Sequence, residues 1–327
     1  MFHKSLGLTG VALIVGLGFG LPAAAQDQPA DFPQRPIDLI VMYPAGGAVD
    51  VTARTFAQVA EEELGISFRV ENRVGGAGMV GHTYLAHDAA ADGYTVGVIA
   101  NPFMFTDILL RDGPFTADDF DPIVTVSFDP VVWVVNAESE IGGMGFDEIM
   151  DYAADHTLQV GMNPNSMFLF VSEFIERARG VTFDFIPFDG GRQGVIALLA
   201  GDVDATATFY TEIEQYIDNG DLVPIAVTGD SRHPMLPDTP TFSELGVAAG
   251  GQTWGATRFF ALPVGVPEDR RAYLAQAFLN VLESDALAAA FDEAGLTLTP
   301  AGLEATQANY ADTFQALQDF LEETGRL

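Results

Sequence analysis

The sequence predicts an α/β protein built as two units, and three observations carry that expectation. Buried strands alternate with amphipathic helices, the same alternation recurs in the middle of the chain, and 327 residues exceed what one hydrophobic core usually organises. The first strand is "PIDLIVMY" (Pro36 to Tyr43), a near-continuous apolar run of the kind buried on both faces. "PAGGAVD" follows, and then a helix with Ala53, Phe56, Ala57, Ala60 and Leu64 on one face. "ISFRVEN" (Ile66 to Asn72) is a second, alternating strand. A glycine loop then leads into a helix carrying Val80, Tyr84 and Leu85, and "DGYTVGVIA" gives a turn and a third buried strand.

The middle repeats the pattern. Strands are expected at Pro130 to Asn136, Leu158 to Asn163, Phe183 to Phe188, Val203 to Phe209 and Leu222 to Thr228. Helices between them cover Phe146 to Ala154, Phe168 to Arg179, Gly190 to Ala200 and Glu212 to Asn219. Past Gly250 come "RFFALPVG" and closing helices, the last with Tyr310, Phe314, Leu317 and Leu321 at helical spacing. Two α/β units with short joins favour a cleft between lobes.

Residues 1–25 read as a secretory signal peptide. Met1 to Lys4 carries one lysine, Leu6 to Leu21 is shorter than the roughly 20 residues of a membrane span, and Pro22 to Ala25 offers a cleavage site near Ala25. The mature chain is expected to be exported. Cysteine is absent, which removes disulfides, thiol catalysis, thiolate metal sites and lipid attachment at the cleavage site.

The formal net charge is −32, and the only lysine is Lys4, so the processed chain sits at −33 (−32 minus one) with arginine as its sole permanent cation. That excludes nucleic acid as a partner. A 48% hydrophobic content excludes disorder. A folded core beneath an acidic, lysine-free surface fits a salty medium, where screening relieves self-repulsion.

Gly76-Ala-Gly78-Met-Val-Gly81 has the spacing of a dinucleotide fingerprint. The preceding strand is alternating and charged, however, and the following one ends in Asn101-Pro102 with no acid for a ribose. These glycines read as turn and close-packing positions. "YPAGGAVD" is the better ligand loop: a buried strand, a forced turn, and a helix start whose amides suit a carboxylate. Asp50 is expected to support that loop as a cap or first-turn residue.

"YPAGGAVDVTAR", "VENRVGGAGMVG", "DGYTVGVIA", "LPDTPTFSELGV" and "TRFFALPVGVPED" resemble, in order and across the mature chain, the substrate-binding proteins of tripartite tricarboxylate transporters, the TctC/Bug family. The resemblance implies a two-lobed periplasmic binding protein of type II with its ligand cleft between lobes. It would be a periplasmic monomer without cofactor or catalysis that closes on a small organic carboxylate and delivers it to membrane permease subunits. The first lobe would span residues 26–132 and 253–327, and the second residues 133–252, with hinges near Val132 to Val135 and Gly250 to Gly255. Tyr43, Ala45, Gly46 and Gly47 match the family's carboxylate loop, and Asn101 the loop after the third strand. In the second lobe Asn163, Asn165, Ser166, Asp189, Gly190 and Gly191 face the cleft, and Phe209 forms an apolar wall. The chain departs from the family pattern in "NPNSMFLF", Tyr43 and Phe188, which leaves the ligand open.

Arg258 resembles an arginine of the tricarboxylate-type branch and could pair with a second carboxylate. A surface salt bridge is the alternative for it, and Arg192 is a weaker candidate of the same kind. His82, His87, His156 and His233 lack metal-ligand spacing and read as surface or capping residues. No nucleophile elbow occurs, and Ser166 has no evident base. A binder of an amino acid or aromatic acid, a ligand sensor, and an exported lyase or hydrolase are the alternative functions.

Overall fold

The computed structural model describes residues 28–164, 166–188, 191–249 and 252–327. The expected signal peptide lies outside them. In chain order the elements are β1 (Ile37–Val41), α1 (Ala48–Leu64), β2 (Phe68–Asn72), α2 (Met79–Thr83), β3 (Thr95–Asn101), α3 (Phe103–Leu110), β4 (Phe120–Asn136), α4 (Phe146–Asp155), β5 (Gln159–Met162) and α5 (Met167–Arg179). They continue as β6 (Asp184–Pro187), α6 (Gly191–Ala200), β7 (Ala205–Phe209), α7 (Tyr210–Asp218), β8 (Leu222–Val227), β9 (Gly255–Pro263), α8 (Glu268–Leu282), α9 (Asp285–Glu293) and α10 (Leu303–Glu323).

Strand burial follows the residue pattern. β3 is buried throughout, whereas β2, with its charged alternation, is a half-exposed edge beside β1. The strands run in the order β2-β1-β3-β9-β4-β7-β5-β6, with β8 also pairing β4. β4 joins the two lobes. Phe120 to Pro130 pairs with β9, and from Val131 onward the strand pairs with β7 and β8. Pairing therefore changes at Pro130/Val131, and the second crossing is the return through Gly255.

The first half of β4 is a strand the sequence did not suggest, because Pro122 and Pro130 interrupt it. A proline donates nothing to a ladder. Here Pro122 borders a register shift and Pro130 stands where the partner strand changes. Beyond it side chains alternate with period two. Val131, Trp133 and Val135 enter one core with Phe183 and Ile149, while Val132 and Val134 enter another with Val195 and Leu198.

The queried glycine loop is a tight turn. Gly76 and Gly78 hold φ of 57° and 113°, and a Cβ on Gly81 would approach Met42 Sδ to 2.8 Å and the Arg73 carbonyl to 3.0 Å. The helix that follows runs from Met79–Thr83 directly into a π-helical stretch, Tyr84–Asp88.

α10 touches both lobes. Near its start Thr306 Oγ1 accepts from the Thr125 amide at 2.8 Å, and Tyr310 packs on Phe105 and Phe259. At its end Phe320 lies among Phe170, Phe174 and Trp254, and Arg326 forms a two-pronged ion pair with Glu173 of α5.

Candidate functional site: a cleft between helix starts

In both lobes the parallel strands end on one edge, and helices begin there. β1 leads to α1, β3 to α3, β5 to α5, β6 to α6 and β7 to α7. Ligands of open parallel sheets bind at such carboxyl edges. Two cavities bring the edges of the two lobes together. One of about 290 Å³ lies between α3 (Phe103, Asp107, Arg111) and the β5–α5 loop (Asn163, Pro164, Ser166). The other, about 180 Å³, lies between Gly46 and Ala48 at the β1–α1 junction and Thr211 of α7.

The β1–α1 loop is locked from within. Gly46, at φ 81°, donates its amide to Asp50 Oδ2 at 2.8 Å, and the Gly47 amide donates to the Pro44 carbonyl at 3.2 Å. Asp50 is buried and also receives Arg54 Nε at 3.0 Å and Asn72 Nδ2 at 2.8 Å. Burial pulls its pKa upward, but the hydrogen bonds from Arg54, Gly46 and Asn72 outweigh this and hold the carboxyl below its ordinary value. Gly46 and Gly47, expected as ligand donors, thus spend their amides on the loop. The open donors fall one residue later, at Ala48 and Val49, because the N-cap Gly47 has no side chain to cap them.

The second lobe answers with a similar device. Ser166 is the N-cap of α5, a residue type that normally caps, yet its hydroxyl donates to the Asn163 carbonyl at 2.7 Å. The first amides of α5 therefore stay uncapped. Asn163 Nδ2 donates to the Phe188 carbonyl at 3.2 Å and ties this loop to the end of β6. Phe209 caps α7 without a side-chain bond, its ring edge-on to Phe168 at 5.0 Å. Gly191 opens α6, while Asn165, Asp189 and Gly190 lie outside the described residues.

Behind the first-lobe edge stands a buried polar cluster. Asn101 is 2% exposed and its Oδ1 has no partner among the described residues. The Tyr43 hydroxyl is likewise buried and unpartnered, and burial, with Asp107 nearby, raises its pKa. His82 is fully buried, 3.6 Å from Asp107 Oδ2 and edge-on to Tyr43, Phe115 and Phe120. Burial lowers its pKa against the opposing pull of Asp107. The surface-or-capping reading of the histidines fails for His82; His233 is 4% exposed, with its pKa lowered by burial, but its Nδ1 accepts the Met235 amide at 3.1 Å in a capping role. Aromatic side chains distant in sequence enclose His82, and no local pattern announces that.

Of the two readings of Arg258, the surface salt bridge fails: at 7% exposure it forms a buried ion pair with Asp129, donates to Ser127 Oγ at 3.1 Å, and with Asp129 lines the smaller cavity beside Gly46 and Ala48. Thr297 completes the Asp129 environment. The face of α3 that lines the larger cavity escaped the sequence reading altogether. "FMFTDILL" is apolar nearly all round and has no helical stripe. The one available signal was Asp107 and Arg111 at i, i+4, which pair at 2.5 Å.

A family model, that of the tripartite tricarboxylate transporter family receptor, matches residues 52–327. The chain belongs to this TctC family. BugT of Bordetella pertussis is 28% identical over 98% of this chain and 99% of its own. A TctC solute-binding protein from Polaromonas, solved without ligand, superposes with TM-score 0.77 at 27% identity over 88% of this chain and 99% of its own. Rpa4515 of R. palustris, solved with adipate, shares the fold with TM-score 0.73 at 24% identity, over 90% of this chain and 99% of its own. TctC-family chains are periplasmic solute-binding proteins, not enzymes, and the two-lobed α/β fold expected from the sequence is the one found.

Proposed function

We propose that this TctC-family protein captures a small organic carboxylate between its lobes and passes it to the membrane subunits of a tripartite tricarboxylate-type transporter. The observation that carries the reading is the pair of uncapped helix starts on opposite lobes, α1 at Ala48 and Val49 and α5 behind Ser166. Each presents main-chain N–H donors and the positive end of a helix dipole to the cleft, the environment a carboxylate requires. Asp50 and Asn163 hold the two loops in shape beforehand, which reduces the cost of ordering them on binding. Closure turns about the two crossings, at Pro130/Val131 and before Gly255, and expels water so that these dipoles act at low dielectric. The protein acts as a monomer in the periplasm after cleavage near Ala25. Adipate held by Rpa4515 makes dicarboxylates the natural first probes.

A thermal-shift screen in high salt with malate, citrate, adipate and matched monocarboxylates tests the reading. A ligand present at 100 Kd is expected to stabilise the fold by about 2.7 kcal/mol. A screen in which no carboxylate raises Tm, while an uncharged or cationic solute does, overturns it.

A further inference from the structure

We infer that the larger inter-lobe cavity holds an acid group of the solute between Arg111 of the first lobe and the start of α5 in the second. This rests on the carboxylate reading above and gives it a side-chain cation.

Arg111 follows the last residue of α3 and lines the cavity of about 290 Å³ from the first lobe, while Asn163, Pro164 and Ser166 line it from the second. Among the described lining residues it is the one cation, and Asp107, a helical turn earlier, is the one acid. The two pair at 2.5 Å through Arg111 Nη1 and Asp107 Oδ1. Their exposures differ sharply. The Asp107 side chain is 3% exposed, and its other oxygen lies 3.6 Å from Nδ1 of the fully buried His82. The Arg111 side chain is 44% exposed. The carboxylate thus belongs to the core and the guanidinium to the cavity.

A guanidinium carries five donors in a planar fork. Nε and Nη2 of Arg111 have no hydrogen-bond partner among the described residues. That free edge can take a second carboxylate through two parallel hydrogen bonds. A carboxylate as buried as Asp107 needs its cation, so Arg111 is held in place before any solute arrives. The end of α3 is fixed as well, by the Gly113 amide donating to the Asp107 carbonyl at 3.0 Å. Arg258, which lines the smaller cavity, differs: at 7% exposure it is committed to Asp129 and Ser127.

Across the larger cavity stand the first amides of α5, left open because the Ser166 hydroxyl donates to the Asn163 carbonyl. One acid group placed here is gripped by a side chain of one lobe and by main-chain donors of the other. Neither lobe offers the whole set alone, so occupancy favours closure. Closure in turn takes Arg111 out of water, where its contact is less open to screening by salt.

Calorimetry on the full chain tests this with malate, citrate, adipate and the monocarboxylates of the thermal-shift screen, using those that the wild type binds. Arg111→Gln leaves Asp107 buried without its cation, and its Tm is expected to fall. The double variant Arg111→Gln/Asp107→Asn removes both charges and should recover Tm, yet bind about tenfold or more weakly. Arg111→Lys keeps the ion pair without the planar fork and should be intermediate. Arg232→Gln, which removes the same charge from an exposed pair with Glu244 that lines neither cavity, should stay within about twofold. Wild-type affinity in the double variant, or an equal loss in Arg232→Gln, overturns the role of Arg111 and leaves the carboxylate reading standing. A wild type that binds none of these acids overturns both.

Discussion

Gly46 illustrates how the proposed ligand loop is made at the level of single residues. Its left-handed backbone turns its amide back toward Asp50, and Asp50 is in turn clamped by Arg54 and Asn72. The amides of Gly46 and Gly47 are thereby consumed, and the first open helical donors begin at Ala48, which lines the smaller cavity. The motif was legible in "YPAGGAVD", as was the supporting position of Asp50. The allocation of individual amides was not, because it depends on Asn72, which stands on the neighbouring strand. The same limit applies to Arg258, whose partner Asp129 lies 129 positions away in sequence on a different strand. His82 gives a prediction at this scale. In the unfolded chain its pKa is near 6.5, and burial depresses it in the fold. The unfolded state therefore binds more protons below about pH 6.5, so stability is full above that value and is lost as pH falls toward the folded pKa. His233 acts in the same direction. Urea unfolding of wild type and His82→Leu between pH 5 and 8 should show a shallower loss below pH 6.5 in the variant. Parallel curves would show that His82 titrates alike in both states.

At the scale of elements, those with a strong period were readable and those without it were not. β1, β3 and α1 announce themselves by β-branched runs or an apolar stripe. α3 has no polar face to define a stripe, and the first half of β4 is broken by prolines that the fold places at a register shift and at the lobe boundary. α10 was legible as an amphipathic helix, but not its division between lobes, since that depends on Trp254 and α5 closing around Phe320. Phe320 is 3% exposed. Phe320→Ala should destabilise the protein by about 3–5 kcal/mol, read as a fall in the denaturant midpoint. A loss under about 1 kcal/mol would mean that the helix end is not anchored on the second lobe.

For the whole molecule, the central tension of the carboxylate proposal is between an anionic ligand and a chain of net charge −32. Long-range attraction cannot gather the solute, so recognition falls to local donors that act once water is excluded. Added salt shortens the screening length to about 3 Å at 1 M, which removes the repulsion and leaves main-chain hydrogen bonds intact. Carboxylate affinity is therefore expected to hold or rise between 0.1 and ~2 M NaCl, as followed by calorimetry. A steep fall would assign the binding to exposed side-chain cations instead.

The substitution Ala48→Pro puts that assignment of the grip to main-chain donors to its most direct test. Ala48 is the first residue of α1, a position that tolerates proline, and Gly47 before it already holds the extended conformation proline requires (φ −76°, ψ 162°). The change deletes one N–H donor and little else. The account requires that Tm of the unliganded protein stay level or rise while carboxylate affinity drops by about tenfold. An unaltered affinity in a stably folded Ala48→Pro protein would contradict it.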